Sequence, residues 1–211
     1  MEDPPVFPSL DQRSGWRAIR HWLLSGGVAG FPAEYAYALS EVPTRRPSGA
    51  RYRLYRIKDR SPGKPILYLA GNLNVVERFA FLPDDRSRLR FIAGSPRFLT
   101  CLLRARPLAE SLGMANSGKV AFRIPADKVL RDFLNFLGEP LSGTSLNISG
   151  TPPLKTPEAI RRSFPDLAIV DGGFRPGHPV SPVLDLTPFD RRVLRGSWVK
   201  IISERRDLRF R

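Results

Sequence analysis

A chain of 211 residues, 42% of them hydrophobic, is long enough to bury the core of one domain. No apolar run approaches the ~18 residues of a membrane-crossing helix, and a single cysteine, Cys101, excludes an intramolecular disulfide. The 34 Lys and Arg against 20 Asp and Glu leave a formal charge of +14, which directs the protein toward polyanions such as nucleic acid, nucleotides or anionic membrane surfaces.

That charge is unevenly placed: residues 44–64 carry eight Lys or Arg against one Asp, and residues 190–211 carry eight against three acids. A single arginine in such a stretch solvates an exposed face, whereas the clusters favour a polyanionic partner. The first residues, MEDPPVFPSLDQ, are acidic and proline-rich, the wrong chemistry for a signal peptide. A soluble, cytoplasmic protein without a membrane partner is the expectation.

Residues 1–14 read as an N-terminal extension. Trp16, Ile19, Trp22 and Leu23 then predict an amphipathic first helix ending at Ser25-Gly-Gly27. Residues 28–31 predict a short buried strand that gives way to a loop at Pro32. Tyr37 reads equally as a core aromatic or as a ligand-facing one. Arg53, Leu54, Ile57 and Lys58 close a second helix. Lys58 and Arg60, two apart at that helix-to-loop edge, can both point at one phosphate chain, the arginine as a bidentate fork and the lysine as a point charge.

Residues 65–70 predict a central strand. Asn74 with Glu77 has the form of a capping box opening a helix with Val75, Val76 and Phe79 inward. Residues 83–90 read as a charged loop, and residues 99–103 predict a strand in which Cys101 packs as a small hydrophobe. Residues 119–124 alternate like a half-buried strand stopped by Pro125. Asp127 can cap a helix whose Val129, Leu130, Phe133, Leu134 and Leu137 share one face, and Gly138 with Pro140 stops it.

A further strand runs into Ser142-Gly-Thr-Ser-Leu-Asn-Ile-Ser-Gly150, nine residues with four hydroxyls, one amide and two glycines. On residue types alone this is either a plain turn or a loop whose donors converge on an anion such as phosphate. Thr156 with Pro157 opens another helix containing Ile160 and Phe164, residues 168–171 predict a strand, and a glycine-rich loop leads to Ser181. His21 and His178, the only two histidines, read as helix and loop residues, since no Cys or carboxylate cluster accompanies them. Residues 203–211 form a basic tail. Strands alternating with helices predict an α/β fold with a twisted mixed sheet. There is no Walker A loop, GxGxxG, GxSxG, or histidine near a plausible nucleophile, so covalent catalysis is not expected.

Four blocks fall in one order. Gly27-Val-Ala-Gly-Phe-Pro-Ala-Glu-Tyr-Ala-Tyr-Ala-Leu39 is followed by Arg53-Leu-Tyr-Arg-Ile-Lys-Asp-Arg60. Next come the Ser142 to Gly150 loop after Ala121-Phe-Arg-Ile-Pro125, then Gly173-Phe-Arg-Pro-Gly-His-Pro-Val-Ser-Pro-Val-Leu-Asp185 with Val193-Leu-Arg-Gly196. Together they resemble the YrdC-like, threonylcarbamoyl-AMP synthase family, over residues 15 to 200. The resemblance implies a single YrdC-like α/β domain over residues 15–202, a twisted open sheet with helices packed on it. It also implies an enzyme that joins L-threonine, bicarbonate and ATP, with Mg, into threonylcarbamoyl-AMP and pyrophosphate for modification of tRNA adenosine beside the anticodon. By carry-over Lys58, Arg60, Ser145, Asn147 and Arg195 hold the nucleotide, with Lys58 and Arg60 neutralising charge and no residue assigned as catalytic. Tyr37, Arg123 and Ser181 surround the threonine and its carboxylate, and no protein side chain is assigned to the metal.

The chain departs from the family's pattern at Ala33 and Tyr35, where the family has threonines, at Ala38, where it has glycine, at Pro96-Arg-Phe-Leu-Thr100, where Gly-Pro is lost, and at Pro182. Expected partners are the substrates, tRNA or double-stranded RNA, and the tRNA threonylcarbamoyl-transfer machinery. The alternative is a non-catalytic YrdC-like protein that binds double-stranded or structured RNA through its basic surface.

Overall fold

The structure, a computed structural model, describes residues 4–34, 36–44, 49–59, 61, 65–83, 99–148, 150–177, 182–187 and 192–195. In chain order the elements are β1 (Val6–Phe7), α1 (Trp16–Leu24), β2 (Ala29–Pro32), β3 (Tyr37–Ser40), α2 (Ala50–Ile57), β4 (Leu67–Leu69), α3 (Leu73–Phe79) and β5 (Thr100–Arg104). There follow α4 (Pro107–Ser111), β6 (Lys119–Arg123), α5 (Lys128–Leu137), β7 (Leu141–Ser142), β8 (Thr144–Ser145), α6 (Pro157–Ser163), β9 (Ala168–Val170), β10 (Val183–Asp185) and β11 (Arg192–Arg195). They gather into two compact units, Met1–Lys64 with Leu141–His178, and Pro65–Pro140 with Pro179–Arg211. The expected α/β class and mixed pairing are present, with the strands shared between two sheets.

In the first unit the strand order is β1-β9-β2-β3-β8. β1 and β2 flank β9 in parallel, while β3 lies antiparallel to both β2 and β8. Residues 4–7, part of the stretch read as an extension, thus contribute a strand. The α1 stripe is as the spacing predicts, with Trp16, Ile19 and Leu23 buried. The loop expected at Pro32 is a tight turn that leads directly into β3. Ala33 N–H donates to the Ala36 carbonyl at 3.1 Å, closing a hairpin whose register pairs Pro32 with Tyr37, so cross-strand pairing takes the backbone groups of both strands.

In the second unit neighbouring strands run β11-β10-β5-β6-β4, with β5 antiparallel to β6 and parallel to β10. Phe122 on β6 packs against Tyr68 and Phe79, ring centroids 6.0 and 6.4 Å apart, and each such buried ring removes enough apolar area to contribute about 2–3 kcal/mol. Cys101 is buried, as expected, and burial pushes its thiol up to about 12.

Two expectations are corrected here. Asn72 caps α3, accepting from Val75 N–H at 3.0 Å, and Asn74 lies inside the helix; Asn72 is also held by its own amide donating to Asn135 Oδ1 at 2.7 Å. On α5 the buried face is Leu130, Phe133, Leu134 and Leu137, while Val129 is 40% exposed, because a stripe starting at 130 leaves 129 on the flank of the first turn. Asp127 caps α5 through Leu130 N–H at 2.8 Å, and Gly138 ends it at φ 75°, where a side chain would be strained.

Candidate functional site

The first unit carries the site. β8 pairs Ser145 with Ala38, and the chain then turns inward at Leu146, which is buried and whose N–H donates to the Tyr37 carbonyl at 2.8 Å. Leu154 N–H returns to the Leu146 carbonyl at 2.9 Å, and Tyr37 N–H donates to the Leu154 carbonyl at 3.4 Å. The loop is therefore closed at its neck on the backbone of Tyr37. Ser145 and Asn147, flanking the buried leucine, both reach Lys58.

Lys58 is the C-cap of α2 and only 4% exposed. Its ammonium donates to the Ser145 carbonyl at 2.5 Å, to Ser145 Oγ at 3.1 Å and to Asn147 Oδ1 at 2.6 Å. Asn147 is oriented by its own amide, which donates to the carbonyls of Ile148 and Thr151 at 3.0 and 2.6 Å, and Ser145 Oγ donates to Asn147 Oδ1 at 2.7 Å. Three ammonium donors thus meet three oxygen acceptors of one loop, and the carbonyl end of α2 favours a cation at that position. With all three donors taken inside the loop, the ammonium fixes the loop's shape and places a positive charge beneath it, a field that favours an anion lying on the loop.

The position of α2 is itself determined by a buried carboxylate. Glu41, 2% exposed, follows β3 and accepts from Arg51 Nη2 at 2.9 Å and Nε at 3.3 Å. Burial pushes the Glu41 carboxyl up, opposed by the arginine beside it. Ser142 brackets the same residue, its N–H donating to the Glu41 carbonyl at 2.9 Å and its Oγ accepting from Glu41 N–H at 2.8 Å. One glutamate thus links the start of α2 to the start of the loop that Lys58 grips.

Tyr37 connects this loop to a second one. Its ring is fully buried, and its hydroxyl accepts from Gly172 N–H at 2.8 Å and donates to the Gly173 carbonyl at 3.1 Å. Burial pushes the phenol up to about 12, so it stays protonated and able to donate. A Cβ on Gly172 would lie 2.3 Å from Pro32 Cβ, which only glycine avoids. Gly173 N–H donates to Asp171 Oδ1 at 2.8 Å, forming the tight turn at the start of this second loop.

Of the residues expected from the sequence, Lys58, Ser145 and Asn147 are brought together. Tyr37 lies in the same unit with its hydroxyl directed to Gly172 and Gly173. Arg123 ends β6 in the second unit, half-buried. Arg195 ends β11, with its side chain outside the described residues, and Arg60 and Ser181 also lie outside them, as does His178. Sequence reasoning passed over Glu41, whose only signal was an acid ten residues before an arginine, and Arg175, discussed below.

A family model described as "Telomere recombination", for the Sua5, YciO and YrdC proteins, matches residues 21–197. The chain is 28% identical over 184 residues to threonylcarbamoyl-AMP synthase of Dichelobacter nodosus, covering 83% of this chain and 95% of that protein. To the enzyme of the same name from Thiobacillus denitrificans it is 32% identical over 182 residues, covering 84% and 95%. In fold it is similar to P. abyssi Sua5 complexed with L-threonine, with a TM-score of 0.75 at 22% identity, covering 92% of this chain and 57% of that longer one.

Proposed function

The chain belongs to the Sua5, YciO and YrdC family, and from that premise we propose that it is a threonylcarbamoyl-AMP synthase. L-Threonine and bicarbonate combine as the N-carboxylate with loss of water. A carboxylate oxygen then attacks the α-phosphorus of ATP, the bond from that phosphorus to the bridging oxygen breaks, and pyrophosphate leaves with the electron pair. Such a reaction needs no protein nucleophile; it needs anions held in line and their charge neutralised.

The observation that carries this reading is the buried Lys58 ammonium fixed against Ser145 and Asn147, three residues of the family's motifs brought to one point. Lys58, by fixing Ser145 and Asn147, shapes and charges the loop on which the triphosphate is proposed to lie. Arg60 and Arg195 add charge to it, and Arg123, Ser181 and the Tyr37 wall serve the threonine. The loop from Ser142 to Gly150 carries no carboxylate and rests on the Lys58 cation, which suits phosphate oxygens better than a bare metal. Magnesium therefore enters as the ATP complex, held on the phosphates. Among the described residues no helix is long and apolar enough to cross a membrane, and a cytoplasmic site with tRNA-modifying partners belongs to the same proposal.

Incubating the protein with ATP, L-threonine, bicarbonate and magnesium is expected to release pyrophosphate only when threonine is present. Release independent of threonine would count against the synthase, and tight RNA binding with no measurable nucleotide affinity would favour the non-catalytic RNA-binding reading.

A further inference from the structure

Arg175 has a half-buried side chain whose Nε is enclosed by protein yet has no hydrogen-bond partner. Among the described residues its guanidinium makes no ion pair either. A guanidinium carries five donors and no acceptor, and taking such a group partly out of water without an acceptor is costly.

Its surroundings are specific. One terminal nitrogen lies 2.7 Å from the point where a Cβ on Gly172 would be, and Pro32 Cβ lies 2.3 Å from that same point, so the guanidinium borders Pro32 at the end of β2. Gly172 is the residue whose N–H meets the Tyr37 hydroxyl. The Arg175 backbone is anchored, its N–H donating to the Lys155 carbonyl at 2.8 Å. The nearby acids are otherwise placed: Asp171 accepts from Gly173 N–H, the exposed Asp11 accepts from the Ser9 hydroxyl, and Glu34, on the hairpin itself, makes its contacts elsewhere. Glu158 sits in the first turn of α6. Lys155, on the facing loop, is a second cation.

We propose that Arg175 binds a planar carboxylate-type anion of the substrate at the Pro32 to Tyr37 hairpin, a binding residue not among those carried over from the resemblance. The inference rests on the proposed function, which supplies two anions of that shape, the α-carboxylate of threonine and bicarbonate. The bidentate fork of arginine matches either.

The test uses the full chain and reads binding apart from turnover. L-Threonine, L-threoninol (which lacks the carboxylate) and ATP are titrated calorimetrically into wild type, Arg175→Ala and Arg175→Lys, with thermal unfolding as the check on folding. Removing a charge-assisted bidentate contact is expected to weaken L-threonine binding about 30- to 150-fold, leave ATP binding unchanged, and be partly restored by lysine. Threoninol should bind the wild type as poorly as threonine binds Arg175→Ala. If bicarbonate is the anion, threonine and threoninol bind alike, and Arg175→Ala raises the KM for bicarbonate by a similar factor, which also supports the assignment. Folded Arg175→Ala with wild-type threonine affinity and wild-type bicarbonate KM overturns it. A wild type that binds threonine yet releases no pyrophosphate with it would sink the enzymatic reading and leave the Arg175 assignment standing on the titrations.

Discussion

Lys58 shows how much can depend on one side chain whose surroundings, not its type, give it a role. Lys58→Met keeps the length of the chain but removes the donors that hold the Ser145 carbonyl and Oγ and Asn147 Oδ1. ATP affinity measured by calorimetry should fall by about 2–3 kcal/mol, roughly 30- to 150-fold. Lys58→Arg should recover only part, since a site 4% exposed and shaped for an ammonium does not admit the larger planar fork. Tyr37 makes a different prediction, in pH. Its phenol is raised from 10.0 to about 12, so below pH 10 both folded and unfolded chains are protonated and its contribution is complete. Between pH 10 and 12 the unfolded chain loses the proton first and stability falls, by about 2–3 kcal/mol in all. Tyr37→Phe, which loses both hydrogen bonds to Gly172 and Gly173, should be less stable by about 1–3 kcal/mol at neutral pH. It should also lack that part of the alkaline slope in denaturant titrations.

At the scale of the element, the question is which residue starts a helix. Asn72 is extended, at φ −158° and ψ 174°, and its side chain accepts from Val75 N–H, whereas Asn74 lies within the first turn. Asn72→Ala should therefore cost about 1 kcal/mol or more, since it loses the cap and the contact to Asn135. Asn74→Ala should stay within about 0.5 kcal/mol. Equal losses in chemical denaturation would return the cap to Asn74. Thr156 is the simpler case: its Oγ1 accepts from Ala159 N–H at 3.2 Å and Pro157 occupies the first helical position, as local spacing predicts.

For the whole molecule the dominant quantity is the charge of +14. Part of it is held in place in the second unit. The bridge between Ala80 and Ala105 sets Phe81 opposite Arg104, and the guanidiniums of Arg104 and Arg106 lie 4.2 and 4.4 Å from the Phe81 ring centroid, a stacking that restrains both arginines. Both ring contacts occupy the aromatic with cations, so an RNA would be met there through its phosphates and not by base stacking. On the alternative, RNA-binding reading, affinity for double-stranded RNA would fall linearly with salt on logarithmic axes and be indifferent to sequence. Arg104→Ala with Arg106→Ala should lower the slope by about 2. An unchanged slope would remove this pair from any nucleic-acid surface.

The sequence by itself determined what depends on neighbours along the chain. The stripe of α1, the caps at Asp127 and Thr156, the stop at Gly138 and the buried run of β9 follow from side-chain period and backbone preference within one or two turns. Lys58, Ser145 and Asn147 could be named through an ordered set of motifs, but not placed. Only tertiary structure decided that β3 is a strand, because its partner β2 supplies the hydrogen bonds. It also chose Asn72 over Asn74, through a contact to Asn135 sixty-three residues away. In the same way Tyr37 came to hold Gly172 and Gly173 across more than 130 residues, and Arg175 came to rest beside Pro32 with its Nε unpartnered among the described residues. Burial and partnership are properties of residues distant in sequence, and an arginine Nε enclosed without a partner is visible only once the chain has folded around it.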